Sequence, residues 1–296
     1  MTKYFNIFIE SYSSYWGYLQ NEVLSPSWHN YFYWLVGITL LVWALEIIFP
    51  WRKNQGIIRK GFWIDTFYLF FNFFIFSLIL YNGLSNVAVT FFNDLLHSLG
   101  INNLVAIEIQ ALPLFLRFVI AYLFIDFIQW NIHRLLHRVP WMWNFHKVHH
   151  SVKQMGFAAH FRFHWMETVF YKSIQYVPLA MVGFGIDDFF VIHILSITIG
   201  HLNHSNLCLD YGILKYLLNN PKMHIWHHAK ELPTEKQYGV NFGISFSCWD
   251  YLFGTAFIPK DGKNVPLGFD KDETFPSELK DQLILPYKHK RRRGNE

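Results

Sequence analysis

Residues 31–50, YFYWLVGITLLVWALEIIFP, run for 20 positions with one charged residue, Glu46, before a proline ends them. A helix of that length rises about 30 Å, the thickness of bilayer hydrocarbon. Lipid offers no partner to a bare N–H or C=O, so a chain built around such runs has to be helical wherever it crosses. Three further stretches compete for the same environment. Residues 64–92 are long and carry Asn72, Asn82 and Gly83, so a tilt or a break is expected there. Residues 111–130, ALPLFLRFVIAYLFIDFIQW, read as a third entry into the bilayer. The region 168–204 is too long for one crossing and is interrupted at 183–188 by GFGIDD; Gly183, Gly185, Asp187 and Asp188 are turn chemistry, which predicts a two-helix hairpin. The composition fits this reading, with 52% hydrophobic residues against 16% charged. The expected fold class is an all-α integral membrane protein with about four membrane-penetrating helices.

The few charges orient it. Lysine and arginine accumulate in short cytoplasmic loops. They collect in WRKNQGIIRKG after the first span and in KHKRRR near the C-terminus, whereas 93–110 and the hairpin tip have none. That places the basic loop, the C-terminus and a histidine-rich cap on the cytoplasmic side. The net charge of +4 is read as orientation, since no basic stripe suited to nucleic acid is present. The basic tail is read as a solvated or anionic-lipid-facing run. Two cysteines, Cys208 and Cys248, exclude a disulfide framework and a CxxC metal site. The N-terminus has one early lysine, Lys3, followed by aromatics, Glu10, Ser11 and Ser13; it lacks the layout of a cleaved signal and is expected to be retained. No internal repeat or Gly/Ser linker divides the chain.

Metal chemistry, if present, must therefore use histidine. In IDFIQWNIHRLLHR, His133 and His137 are four apart and share a helix face with Asp126 and Trp130. Metal-bound histidine usually donates its other N–H to a carboxylate or carbonyl, and Asp126 is the expected partner. Two HxxHH triplets follow, His146, His149 and His150, then His224, His227 and His228. On a helical turn such a triplet lets two imidazoles share one metal while the third reaches a neighbour. Eight histidines exceed one ion, so two metals with about four ligands each are expected. His204, at a predicted membrane exit, and His201 are added as ligands. His160, His164 and Glu167 share one helical face and are read with Arg162 as a supporting network. His193 is read as a satisfied buried residue, and His29, His97 and His289 as ordinary surface or interfacial ones. Imidazole suits Zn, Cu, Fe and Ni alike. HExxH is absent, which argues against zinc-protease chemistry.

Taken in order, DFIQWNIHRLLHRVPWMWNFHKVHHS, RFHWME, HLNHSN, PKMHIWHH, NFG at 241–243 and WDYLFGT at 249–255 resemble the sterol desaturase and fatty acid hydroxylase superfamily over about residues 120–257. The resemblance implies a membrane-embedded di-iron oxygenase that uses O2 and two external electrons to hydroxylate or desaturate a lipid. Its ligand motifs fall on His133, His137, His146, His149, His150, His224, His227 and His228, with His204 at the extra position. It adds Asn241 and Asp250 to the supporting residues. The sequence departs from the usual pattern at His160, where a small or polar residue is commoner, and at Trp165, where proline often follows the histidine.

An unactivated C–H bond is beyond side-chain acids and bases, so the cofactor must carry the chemistry. Trp130, Trp141, Trp143 and Phe145 are expected to wall an apolar tunnel or to serve as interfacial belt residues. With no fused haem or flavin module recognised, the reductant is expected to be a separate electron-transfer protein, steered by the basic face. The domains expected are 1–110 with two transmembrane helices, 111–258 as the hydroxylase-like catalytic domain, and 259–296 as a basic tail. Two other readings stay open: a zinc-dependent membrane hydrolase, for which Glu167 remains available, and a non-catalytic membrane protein with structural metal.

Overall fold

The computed structural model describes residues 2–102, 105, 109–182 and 186–285; among them the regular structure is helical, with three isolated β-bridges and no sheet. The first helix, α1 (Thr2–Leu24), packs along α4 (Asn82–Ser98). Lys3 Nζ and Tyr4 Oη both reach the Asp94 carboxylate, at 2.5 and 2.9 Å. Between them in sequence lie α2 (Tyr31–Ile48) and α3 (Phe62–Phe70), the latter running on through a π-helical segment, Phe71–Tyr81. The expected break in the second apolar stretch occurs here: Phe62–Leu78 and Asn82–Ser98 are bent by 52°. Widened helical turns are a common cause of such bends. The asparagines that signalled the break satisfy nearby backbone, Asn72 Nδ2 donating to the Phe163 carbonyl and Asn82 Nδ2 to that of Ser77, both at 2.9 Å.

Helix α5 (Leu114–Arg138) has 25 residues and rises about 37 Å, enough to cross the hydrocarbon and carry its last turns beyond it. Val139 is extended, and Pro140 then opens α6 (Pro140–His150), where its missing N–H leaves no orphan donor. A 3-10 turn, Phe157–Phe161, leads to α7 (Trp165–Val182) and α8 (Ile186–His204). The fourth apolar region is thus two helices, as predicted; Gly183 and Gly185 lie outside the described residues, as does the KHKRRR tail. Three short helices complete the chain, α9 (Pro221–His227), α10 (Cys248–Leu252) and α11 (Leu279–Leu283).

By length and composition, α2 and α5 can each cross a membrane, and the bent pair raises the count to three. Helices α7 and α8 do not add a fourth on that measure, because Glu167, Lys172, Asp187 and Asp188 dilute their apolar content. Only 11% of the α2 window is buried, and Leu40, Leu41 and Ile48 are open to the surroundings. An apolar face left uncovered along a full span is suited to lipid.

Two acidic residues, one half-buried and one fully buried, fasten these helices to the histidine-bearing segments. Glu46, near the end of α2, accepts hydrogen bonds from the backbone N–H groups of Phe157 (2.8 Å) and Asn206 (2.6 Å). Asp65, in the first turn of α3, is completely buried between the guanidinium groups of Arg59 and Arg162. A charge held this deep is tolerable only because both partners are present. Arg162 also donates to the Gly61 carbonyl at 3.0 Å, so the span and the loop preceding α7 are held as one unit.

Candidate metal centre

Nine histidines gather at the ends of α5, α6, α8 and α9, in two adjoining groups whose potential ligand atoms lie within 4.8 Å of one another. One group is His133, His137, His146, His150 and His227; the other is His149, His204, His224 and His228. Each HxxHH triplet divides. Positions i and i+4, one turn apart, enter one group, and position i+3 turns into the other, so the two groups are interlaced through α6 and α9. Neighbouring rings from different groups touch, His150 stacking on His228 with centroids 4.5 Å apart.

The hydrogen bonds on the far side of the rings determine what these groups can hold. His149 Nδ1 donates to the Arg162 carbonyl at 3.0 Å and His204 Nδ1 to the Gly200 carbonyl at 2.7 Å. Carbonyl oxygens only accept, so both rings carry their proton on Nδ1 and present a bare Nε2 lone pair. Those two Nε2 atoms face each other at 3.2 Å. Two lone pairs cannot bond to one another, and a cation between them is what reconciles the approach. The other group repeats the arrangement. His133 Nδ1 donates to the Phe242 carbonyl and His146 Nδ1 to Glu167 Oε2, both at 2.8 Å, and their Nε2 atoms stand 3.1 Å apart. His227 Nδ1 likewise donates to the Val240 carbonyl at 2.8 Å.

Burial pushes His149 down to about 3 and holds His150, His224, His227 and His228 well below the usual imidazole range, with neighbouring imidazoles adding to the effect. A buried set of neutral imidazoles suits a borderline divalent metal rather than a hard cation. The residues present therefore fit two metal ions, one in each group.

The supporting residues differ in part from the sequence reading. Asp126 touches no histidine: its carboxylate accepts from the backbone of Ser245 (2.8 Å) and Phe246 (3.2 Å) and from Trp249 Nε1 (3.0 Å). The partner of His133 is the Phe242 carbonyl, and the carboxylate that reaches a grouped histidine is Glu167. Asp250 acts one step further out, accepting from Phe242 N, Gly243 N, Trp130 Nε1 and Thr255 Oγ1 at 2.6–3.0 Å, and so fixes the segment whose carbonyl holds His133. Asn241 lies between the two carbonyls that hold His133 and His227. It has a positive φ of 52° and ties the loop to α9 through the Met223 carbonyl and to Phe257 through both its amide groups.

Arg162 contributes through its carbonyl as well as its guanidinium. His164 accepts from Met166 N and reaches the Leu283 carbonyl, joining the start of α7 to the last residue of α11. His201 lies outside both groups, with Nε2 3.1 Å from Thr39 Oγ1 and Nδ1 3.0 Å from His160 Nδ1; three residues before His204, it is turned toward α2. His160 stacks beside His204 with centroids 5.3 Å apart. Gly200 makes room for it, since a Cβ there would fall 2.3 Å from the His160 ring.

Two openings reach the histidines from different directions. A cavity of about 360 Å³ between α5, α7 and α8 touches His133, His146, His149, His204 and His224; the surface it presents is mostly apolar, with Ile125, Leu179, Ile192 and Ile197 contributing, although polar side chains also line it. A wider groove of about 1370 Å³ reaches His137, His150 and His227 past Lys147, Lys230 and Lys271. Trp141 and Trp143 belong to this groove and not to the apolar cavity, while Trp130 and Phe145 are buried in packing.

Comparison with known proteins follows the same boundaries. Residues 118–255 match the model of the fatty acid hydroxylase family. The chain is 30% identical over 156 residues to the ornithine lipid hydroxylase OlsE of Rhizobium tropici, covering 53% of this chain and 46% of that one. It is 29% identical over 148 residues to the alkylglycerol monooxygenase of Xenopus tropicalis, covering 49% and 31%. A very-long-chain aldehyde decarbonylase of Oryza sativa subsp. japonica is 28% identical over 142 residues, covering 47% and 46%. The chain thus spans less than half the length of each of these relatives. No solved structure matches. The helices and loops that carry the interlaced histidines, from α5 to α10, form a fatty acid hydroxylase domain of the sterol desaturase and fatty acid hydroxylase superfamily.

Proposed function

We propose that the protein is a membrane-bound di-iron oxidoreductase that hydroxylates or desaturates a membrane lipid with O2, the electrons coming from a separate electron-transfer protein. The observation that carries this reading is the pair of buried imidazole groups with facing Nε2 lone pairs, opening directly into an apolar cavity. Iron bound in both groups would supply O2 activation and hydrogen removal from an unactivated C–H bond.

The ligand set proposed is His133, His137, His146, His150 and His227 for one ion, and His149, His204, His224 and His228 for the other. The chain's own part is positional. The carbonyls of Gly200, Arg162, Val240 and Phe242 and the Glu167 carboxylate lock ring orientation and proton position in His204, His149, His227, His133 and His146, so that these five rings present Nε2 without further reorganisation. Ile125, Ile192 and Ile197 hold an acyl or alkyl chain by dispersion and exclude water from the reacting carbon. The groove over His137 and His150 gives the polar side its own approach, so donor and lipid need not compete for one entrance.

In the membrane we place the histidine groups, the loop 51–61 and the C-terminus on the cytoplasmic side. The α7–α8 hairpin serves as the fourth penetrating element. The resemblances to lipid hydroxylases and the basic composition of that loop support this arrangement.

The test compares membrane lipids by mass spectrometry from cells making the intact protein with O2, without O2, and making His149→Ala. A lipid that gains one oxygen or loses two hydrogens only with intact histidines and O2 is the expected result. Product formed in the absence of O2 would point to a hydrolase, and a folded, metal-loaded protein that alters no lipid would point to structural metal.

A further inference from the structure

The apolar cavity has a polar band that the proposed chemistry does not use. On α7, Lys172 lines the cavity with its Nζ 4.3 Å from the centre of the Tyr81 ring, and no carboxylate pairs with it among the described residues. The outer side of the same helix is apolar and open, with Ile174, Val177 and Met181 uncovered. Lys172 is itself exposed, so its ammonium stands at the rim of the cavity, where a cation beside an apolar helix face still favours a counter-charge. One turn further along, Gln175 lines the same cavity with a buried amide nitrogen that has no partner among the described residues. Ser196 faces it from α8.

The helical rise places this band at a definite distance from the histidines. Lys172 follows Glu167 by five residues, about 8 Å along α7 from the level of His146. Gln175 is about 12 Å along, and Ser196, eight residues before His204, is about 12 Å back along α8. Further from the histidines the wall includes Leu179 and Ile192, with His193 beside them. A cavity for a plain hydrocarbon chain would gain nothing from a cation and an amide donor at that depth.

We infer that Lys172 and Gln175 select a lipid bearing an anionic, acceptor-rich group, a carboxylate or a phosphate, about 8–12 Å from the carbon presented to the histidines. The anion receives the ammonium and the amide N–H, and the remaining chain lies against Leu179 and Ile192. This rests on the cavity being the lipid site of the proposed oxidation, but its test does not require turnover.

The purified full chain in a neutral detergent is incubated without O2 with stearate, with octadecanol, which has the same chain without the charge, and with stearoyl lysophosphatidate, and retention is read by native mass spectrometry. At least one anionic lipid should be retained about tenfold or more over octadecanol, as expected for a charge-assisted hydrogen bond set against a neutral one, and the better retained of the two names the source of the anion. Lys172→Met should abolish the preference, Lys172→Arg should keep it, and Ile197→Trp, which fills the cavity, should remove retention of both kinds. Equal retention of stearate, lysophosphatidate and octadecanol by the intact protein would overturn the inference. So would a preference that survives Lys172→Met, or one that survives Ile197→Trp and therefore belongs to the outer surface. Anion selectivity in a protein that oxidises no lipid would leave this inference standing and remove the oxygenase reading.

Discussion

Replacing Glu167 by glutamine removes the carboxylate that a cation bound through His146 would hold ionised, and leaves the side chain's shape almost unchanged. In the structure Glu167 Oε2 accepts the His146 Nδ1 proton at 2.8 Å, and both residues are buried. A hydrogen bond to a charged acceptor is worth about 1.5–3 kcal/mol and a neutral one about 1 kcal/mol, so the exchange costs about 1–1.5 kcal/mol. The bond is stronger when the ring holds a metal, because coordination makes the Nδ1 proton more acidic, and the loss falls chiefly on the metal-bound state. Affinity for the ion bound with His146 should therefore fall about tenfold in Glu167→Gln. In Glu167→Ala, which leaves the buried N–H without an acceptor, it should fall roughly a hundredfold. Competition between the solubilised protein and a chelator for Fe(II) or Co(II) measures this directly. Asp126→Asn is the internal control: that carboxylate binds the 245–249 segment and no histidine, so its loss should lower Tm while leaving metal affinity unchanged. An unaltered affinity in Glu167→Gln, or an equal loss in Asp126→Asn, would refute the argument.

Other consequences can be checked as simply. Asp65→Asn leaves Arg59 and Arg162 buried without their counter-charge and should destabilise the protein by about 3–5 kcal/mol in denaturant unfolding; a loss below about 1 kcal/mol would contradict the buried trio. Gly239 has a φ of +101°, and a Cβ there would lie 2.9 Å from His137 Nδ1, so Gly239→Ala should reach the membrane with reduced metal content, and full loading would count against the site's tight fit. In metal-stripped protein the grouped histidines stay neutral when folded and take up protons when unfolded. The histidines' share of stability should therefore be level above about pH 6.5 and fall with acid by about 1.4 kcal/mol per pH unit for each such histidine, continuing toward pH 3 for His149. A flat profile between pH 7 and pH 5 would contradict the buried neutral cluster.

The histidine pattern was legible because helical spacing needs no tertiary knowledge. Residues at i, i+3 and i+4 fall on one side of a helix, and His204 stood out as a polar ring at the end of an apolar run; which member of each triplet enters which group was visible only in the structure. The second stretch announced its bend through Asn72, Asn82 and Gly83. What escaped was chemistry supplied by backbone. The carbonyls of Phe242, Val240 and Arg162 that orient His133, His227 and His149 carry no residue-type signature and arrive from distant parts of the chain.

Asp126 shows the converse. Its position seven residues before His133 put it on the right face, but α5 is long enough that its carboxylate meets a different loop. The same limit explains His201, whose closeness to His204 in sequence does not overcome the turn that points it to Thr39. The Asp65–arginine trio and the packing of α1 on α4 join residues far apart in sequence, and a one-dimensional pattern records no such pairing.

The proposed oxygenase requires two iron ions, one in each of the interlaced imidazole groups. Elemental analysis and Mössbauer spectroscopy of protein purified from iron-57-supplied cells test it in one preparation. Two iron ions per chain with the signature of a coupled pair are expected, with loss of that coupling in His204→Ala. One metal per chain, or zinc in place of iron in protein that still oxidises its lipid, would contradict it.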